Sequence, residues 1–299
     1  MAEPRQGQLV PSCGDGPRSC QKIVSQSALR CQYLVVTTIA SWAAVDSRGV
    51  SAIYIASDSK ITWGSSGSWS QGRKTFASQR EAFVFGYWGD VVFPALALPV
   101  VVEQLDNSLI AVNPSRPYGA IGNVIRTLWL DYPVMHRHDL GILMAHRLGV
   151  GMRSVFSLSV LFYEAQVNKW TRRSIPMPPR SAELTIAGSG AANVRSARKL
   201  WEESRQGGTS RAIFGAFSEA LAEAADPLSG GGPQLVGLHR QGAGKSFGLV
   251  YEGERYFSGR RISKREASQG NVGWFNELFE RVDVRSMRRL SGAQRHMPR

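Results

Sequence analysis

The sequence predicts an α+β fold, in which strands and helices gather into separate runs of the chain instead of alternating one by one. Three stretches predict it. Leu34 to Ser57 reads as a β-hairpin, Ser154 to Thr171 as a second pair of strands, and Ala191 to Ala225 as two consecutive helices closed by Pro227 and a glycine run.

Taken in order, residues 1–36 are rich in Gly, Pro, Ser and Gln and show no sustained hydrophobic period, which predicts a disordered leader or propeptide. A mis-assigned start is the other reading of this segment. Valine codons include GUG, so in a bacterial gene Val36 would serve as initiator and be trimmed to expose Thr37; an intact leader on the natural protein would exclude this. Tyr33 to Val45 is apolar enough to be mistaken for a signal sequence but has no basic segment at a true terminus, so a strand is the better reading.

From Leu34 to Ala44 the residues are small, apolar or β-branched, Asp46-Ser47-Arg48-Gly49 supplies turn chemistry, and Val50 to Ser57 is strand-like again. That second strand ends at Asp58. A further strand from Ala82 to Phe85 runs into Gly86 and Gly89, so polar groups gather at strand ends beside Thr37-Thr38, where a rigid scaffold presents functional residues. Asp90 to Leu105 is apolar with helical spacing despite Pro94 and Pro99, and Pro117 to Leu130 is a second amphipathic helix. His136-Arg137-His138-Asp139 fits no strong metal-ligand template and predicts a polar loop.

Ser154 to Tyr163 and Ala165 to Thr171 read as paired strands, and Pro176-Met177-Pro178-Pro179 as a loop. Leu184 to Ala187 is a short strand that delivers Ser189 to the start of the first of two helices, Ala191 to Ser204 and Ser210 to Ala225. Gln234 to His239 and Ser246 to Glu252 form a last hairpin. Its turn, Gly242-Ala243-Gly244-Lys245-Ser246, mimics a phosphate-binding loop, but His239 stands where the first glycine is required and a strand follows where a helix should. Gly273 to Val284 is predicted as a C-terminal helix with Trp274, Phe275, Leu278 and Phe279 on one side, an apolar face for the domain or a partner.

Composition narrows the function classes. The formal charge of +13 invites a polyanion partner, yet the arginines are spread along the chain and the densest cluster, residues 260–299, reads as a solvated basic extension. The interleaved aromatics and recognised modules of nucleic-acid binding are missing, so nucleic acid is not an expected partner. All three cysteines, Cys13, Cys20 and Cys31, precede Thr37 without a C-x-x-C spacing, which argues against a disulfide framework or metal site and fits a cytoplasmic compartment. No run approaches the roughly 18 apolar residues of a membrane span.

Thr37-Thr38-Ile39, then Asp58, then Lys74 sixteen residues on, then Gly86-Tyr87-Trp88-Gly89-Asp90 resembles the first half of proteasome β-subunits and the bacterial peptidase HslV, which are N-terminal-nucleophile (Ntn) hydrolases. In the second half, Gly188-Ser189-Gly190 is followed, thirty-seven residues after Ser189, by Asp226-Pro227-Leu228-Ser229-Gly230-Gly231, similar to the family's D-x-x-S-G-G. The resemblance runs from Thr37 to Tyr251. It implies a four-layer αββα sandwich over residues 37–259, two antiparallel sheets between helix layers. Val36 in place of the family's usual glycine, longer segments from Thr37 to Asp58 and from Gly89 to Ser189, and the basic extension mark a divergent, bacterial-type member.

A threonine hydroxyl is a weak nucleophile at neutral pH and needs a base. A free α-amine at Thr37, with an ordinary pKa of about 7.7–8.0, would serve. A Lys74 ammonium beside it would favour the alkoxide and lower the amine pKa through like charge, and Asp58 would hold Lys74 charged. The resemblance further implies that Ser189, Asp226 and Ser229 orient the amine and that the Gly86 N–H binds the oxyanion. Thr38 is the rival nucleophile. Thr62 matches the family position at which a strand edge grips an extended peptide, a mode in which backbone hydrogen bonds give affinity and side-chain pockets specificity. Ile61, Phe76, Val84 and Trp88 lie near pocket positions and suggest tolerance of an apolar side chain. Taken singly, these are a strand threonine, an exposed ion pair, a turn serine and a helix end; their joint spacing favours a site.

The expected activity is therefore a threonine endopeptidase without cofactor or metal, acting on peptides or unfolded protein and assembled into a homo-oligomeric ring. The sequence has no ATPase domain, so folded substrates would need a separate ATPase unfoldase. Two alternatives stand beside it: a small-amide Ntn hydrolase, and a non-catalytic scaffold if the leader is retained and the nitrogen of Thr37 stays an amide.

Overall fold

Strand alternation places the core before any topology is drawn. In β1 (Thr38–Asp46) and β2 (Gly49–Ser57), Ile39, Ile53 and Ile55 face one way, and Ala40, Trp42, Ala52, Tyr54 and Ala56 the other. Successive strand side chains point to opposite faces, so each strand feeds two separate apolar layers. The structure, a computed structural model, describes residues 37–63 and 67–296. The expected leader, the three cysteines and the expected strand start at Leu34 lie outside these residues.

The hairpin closes through Ser47 and Arg48, with Asp46 opposite Gly49 and the Asp46 carboxylate accepting the Arg48 N–H at 2.8 Å. Past Asp58 come β3 (Ile61–Thr62) and β4 (Ser68–Trp69), a small two-stranded sheet, and then β5 (Thr75–Ala77) and β6 (Phe83–Gly89). Helices α1 (Val92–Asp106) and α2 (Pro117–Leu130) follow. Pro94 is tolerated as the third residue of α1, where a backbone N–H would have no helical partner, and Pro117 opens α2 for the same reason. Strands β7 (Leu140–Leu148), β8 (Val155–Glu164), β9 (Lys169–Ile175) and β10 (Ala182–Gly188) lead to α3 (Ala191–Glu203) and α4 (Ser210–Ala222). The chain then runs through β11 (Gln234–His239), β12 (Lys245–Tyr251), β13 (Glu254–Phe257), β14 (Arg260–Arg261), α5 (Lys264–Gln269) and β15 (Trp274–Asn276).

The fold is mixed α/β with two principal sheets. One has eight strands in the order β10-β1-β2-β11-β12-β13-β14, with β15 added beside β12; the other has the order β5-β6-β7-β8-β9. Three apolar clusters organise them. Ile39, Ile53, Ile55, Val236 and Leu238 of the first sheet meet Val84, Leu143, Leu158 and Val160 of the second. Phe83, Phe85, Ile142, Met144 and Leu161 face α1 and α2. Trp42, Tyr54 and Leu235 face α3 and α4, from which Val194, Trp201, Ile213, Phe214 and Phe217 project.

The sequence expectations need four corrections. The strand expected to end at Phe85 continues to Gly89, because Tyr87 still has a buried apolar layer to enter. Ala165–Val167 is a single helical turn that ends at Asn168 with φ +48°, so the strand begins at Lys169. Gly273 to Val284 is not a helix. Trp274 pairs in parallel with Gly248, whose missing side chain makes room for the indole, and the Asn276 side chain then accepts the N–H groups of Leu278 and Glu280 in a turn that Phe279 leaves with φ +54°. An i, i+4 apolar pair fits such a turn as well as it fits a helix. The basic stretch from Arg260 is not a free tail either: its charges are solvated, but Ala267, Trp274 and Val282 form a small core with Val250.

Among the described residues, no helix is long and apolar enough to cross a membrane.

Candidate active site

The first strand starts at Thr38, and the residue before it is conformationally unusual. Thr37 has φ +103°, a region that β-branched residues rarely occupy, and is fully buried. Its carbonyl lies 3.3 Å from Ser189 Oγ, and a side chain on Gly188 would come within 1.9 Å of that carbonyl oxygen. The Thr37 hydroxyl has no hydrogen-bond partner among the described residues. Thr38, by contrast, is tied on every side. Its N–H donates to Asp58 Oδ1 at 2.9 Å, and its carbonyl accepts the Asp58 N–H at 3.1 Å and the Ser57 hydroxyl at 3.2 Å.

Asp58 follows the end of β2 and Lys74 precedes β5, so the pair bridges the two principal sheets. Lys74 Nζ donates to Asp58 Oδ1 at 2.8 Å with both side chains fully buried, and also to the Lys60 carbonyl at 2.5 Å. The other carboxylate oxygen accepts the N–H groups of Lys60 and Gly230, each at 3.1 Å. Both carboxylate oxygens and two of the three ammonium N–H groups are therefore matched, which limits the desolvation cost of burying the pair. Burial pushes the Lys74 ammonium below the ordinary lysine value, while the charges of Asp58 and, more weakly, Asp226 pull it back up.

A second polar cluster closes the far side of Thr38. Ser189, delivered by the end of β10, and Ser229, in the loop after α4, both donate to Asp226 Oδ2 at 2.6 Å. Ser229 has thereby committed its one proton, so in the 2.5 Å contact between the two hydroxyls Thr38 is the donor and Ser229 the acceptor. Gly190 cannot carry a side chain here: a Cβ would lie 1.9 Å from Thr38 Oγ1 and within 3.2 Å of Ser229 and Asp226. Behind the cluster, Thr38, Asn193, Leu221 and Asp226 border a cavity of about 10 Å³.

The structure thus gathers Thr37, Asp58, Lys74, Ser189, Asp226 and Ser229. Gly86 joins them through register, since it lies opposite Thr75, the residue after Lys74, with Leu143 on its other side. The residues expected to border substrate divide. Thr62 is half-buried with an unpartnered hydroxyl among the described residues, and Trp88 is half-buried with its ring across Gly141 and edge-on to Phe162 at 5.5 Å. Ile61 is packed against Gly72, and Phe76 and Val84 are not at a pocket wall: at 1% and 0% exposure they are core side chains, because β5 and β6 turn those positions into apolar layers.

Gln234, Ser57 and the Lys60 carbonyl were not anticipated. For Gln234 there was a signal: it shares the inward face of β11 with Val236 and Leu238, and a polar residue in that register must find buried partners. The His136-to-Asp139 stretch serves the scaffold. Arg137 lies over the Trp129 ring and donates to the Trp129 and Tyr132 carbonyls, and Asp139 accepts the Ala165 N–H at 2.7 Å. No group of three His, Cys, Asp or Glu among the described residues is placed to hold a metal ion.

Chemically, the arrangement offers a threonine hydroxyl with no bond among the described residues, a buried ammonium held by a carboxylate, and a hydroxyl–carboxylate cluster around the neighbouring backbone. Neither a protein-family model nor a curated protein matches the sequence. Among solved structures, the chain is similar to Anbu (ancestral beta-subunit) from Yersinia bercovieri, with 9% identity over 67% of this chain and 81% of that one at a TM-score of 0.46. It is similar to Anbu from Hyphomicrobium sp. strain MC1, with 11% identity over 70% and 86% at 0.44. It is also similar to eukaryotic HslV from Trypanosoma brucei, with 13% identity over 67% and 99% at 0.39.

Proposed function

We propose that this chain is a threonine-type peptidase of the Ntn-hydrolase kind, built as a four-layer αββα sandwich, in which Thr37 becomes the nucleophile once residues 1–36 are removed. One observation carries the reading: the Thr37 hydroxyl is buried with no hydrogen-bond partner among the described residues, while Asp58 Oδ1 joins the N–H of the next residue to the Lys74 ammonium. A hydroxyl left unbonded in the interior costs stability, and such a cost is common where a group is kept free to react. The three apolar clusters, one between the sheets and one on each outer face, support the sandwich.

With residues 1–36 attached, the nitrogen of Thr37 is a peptide nitrogen and cannot accept a proton. Their removal turns it into an amine, the general base. The amine takes the hydroxyl proton as Oγ1 attacks the peptide carbonyl, and Lys74 stabilises the developing negative charge. Asp58 keeps Lys74 charged. Ser189, Asp226 and Ser229 hold the backbone around the amine, the Gly86 N–H receives the oxyanion, and the edge at Thr62 aligns an extended peptide. The protonated amine then gives that proton to the leaving nitrogen as the C–N bond breaks, which leaves an ester on Oγ1. The freed amine next takes a proton from water as the water attacks the ester, and returns it to Oγ1 as the acid product leaves. A homo-oligomeric ring and a separate ATPase unfoldase complete this reading.

A chain beginning at Thr37 is expected to cleave unstructured peptides, and Thr37→Ala to lose at least about a thousandfold in kcat. Equal turnover by the variant would sink the reading. Hydrolysis of small amides but not peptides would move it to the amidase alternative, and retention of residues 1–36 on the natural protein would leave a scaffold.

A further inference from the structure

We propose that Gln234 is a positioning residue for the candidate site: its side-chain amide ties the backbone of Asp58 to the backbone of Lys74 and so sets where the ion pair stands relative to Thr37. This rests on the peptidase reading only for its consequence in catalysis; the brace itself is a matter of geometry.

Gln234 opens β11 and lies opposite Ser57, the last residue of β2, with no exposed surface. Its Nε2 donates to the Asp58 carbonyl at 2.9 Å and to the Gly72 carbonyl at 2.8 Å. Its Oε1 accepts the Lys74 N–H at 2.9 Å and the Thr75 hydroxyl at 3.5 Å. A primary amide has two N–H donors and one oxygen with two lone pairs, and all four are used. Asp58 and Lys74 reach the site from different sheets, and their side chains meet only at the carboxylate–ammonium contact. Gln234 joins the main chains of Asp58 and Lys74 themselves, beside a neighbouring tie in which the Gly72 N–H donates to the Ser59 carbonyl at 2.8 Å.

No other side chain of this size does the same. Leucine fills the volume but leaves two carbonyls and an N–H buried and unbonded. Glutamate keeps the acceptor facing Lys74 but sets an oxygen against the carbonyls of Asp58 and Gly72. In either case Lys74 loses its direct backbone tie to Asp58 while the Gly72–Ser59 bond two residues earlier remains, and a displacement of the order of 1 Å is enough to cost about a hundredfold in rate.

The test uses Gln234→Leu and Gln234→Glu, with Ile125→Ala in the α2 layer as a destabilised control remote from the site. The first readout is the structure of each full-length variant: the Lys74–Asp58 contact is expected to lengthen beyond hydrogen-bonding reach in Gln234→Leu, less in Gln234→Glu, and not in Ile125→Ala. The second, on chains beginning at Thr37, is kinetic. Here kcat is expected to fall about a hundredfold with KM unchanged. The acid limb of the pH profile should move upward, because the Thr37 amine loses its cationic neighbour. If Gln234→Leu fails to fold, Gln234→Glu carries both readouts. An unchanged ion pair with the pH profile of the control would overturn the proposal. A displaced pair in a protein whose parent has no Thr37-dependent hydrolysis would remove the peptidase reading and leave the brace standing.

Discussion

Thr37 and Thr38 carry the same side chain one peptide apart and differ in what their hydroxyls touch. Thr38 gives its proton to Ser229 and is held by Asp58; Thr37 has no such bond among the described residues. Thr38→Val keeps the shape and removes the hydroxyl, leaving the Ser229–Asp226 bond intact. On a chain beginning at Thr37 it is expected to cost about 1 kcal/mol of stability and less than about tenfold in peptide turnover. A loss as large as that of Thr37→Ala would transfer the nucleophile to Thr38. Lys74→Met tests the other half of the site. It strands the Asp58 carboxylate in the interior, so urea denaturation should show a loss of about 3–5 kcal/mol, whereas an exposed pair would lose almost nothing. Gly190→Ala is expected to destabilise by about 1–3 kcal/mol and to reduce turnover, since its Cβ would overlap Thr38 Oγ1.

At the scale of elements, the last strand and the first long helix carry separate expectations. Trp274 on β15 covers Gly248 in the middle of β12, so this late segment is part of the body. Trp274→Ala should therefore cost about 3–5 kcal/mol in thermal or urea denaturation; a change near zero would mean that β15 is not packed as described. In α1, Pro99 sits inside the helix with its ring exposed. Alanine there restores an N–H for the helix ladder without touching the core, and stability should rise, by no more than the roughly 3 kcal/mol that separates the two residues in a helix interior. A fall in stability would show that Pro99 is favoured where it stands in spite of the lost N–H.

For the whole molecule, two histidines are expected to contribute to the response to mild acid. His146 packs against Phe83 at 4.4 Å, and His239 shares a hydrogen bond with the Tyr54 hydroxyl at 2.9 Å. Burial, helped by neighbouring cationic side chains, lowers both from the ordinary 6.5 to about 4. Between those values the unfolded chain binds more protons than the folded one, so stability rises with pH across the window and is lost as pH falls from about 6.5 towards 4. Melting temperatures measured across that range should decline, and replacing both histidines by glutamine should flatten the decline; an unchanged slope would assign acid sensitivity to other groups.

Much of the architecture was legible in the sequence because it rests on local pattern. The alternation of β1 and β2, the proline-led start of α2 and the helix pair around Trp201 follow from periodicity and turn chemistry alone. The joint spacing of Thr37, Asp58, Lys74, Ser189, Asp226 and Ser229 marked the candidate site through its resemblance to proteasome-type hydrolases, since taken singly each reads as an ordinary strand, ion-pair, turn or helix-end residue. Tertiary structure decided the rest. It showed that Phe76 and Val84 belong to the core, that Gly273 to Val284 folds as strand and turn, that the proton of Ser229 goes to Asp226 and leaves Thr38 bonded, and that Gln234 joins Asp58 to Lys74. Each of these depends on which layers meet across many residues of separation, and local periodicity carries no information about that.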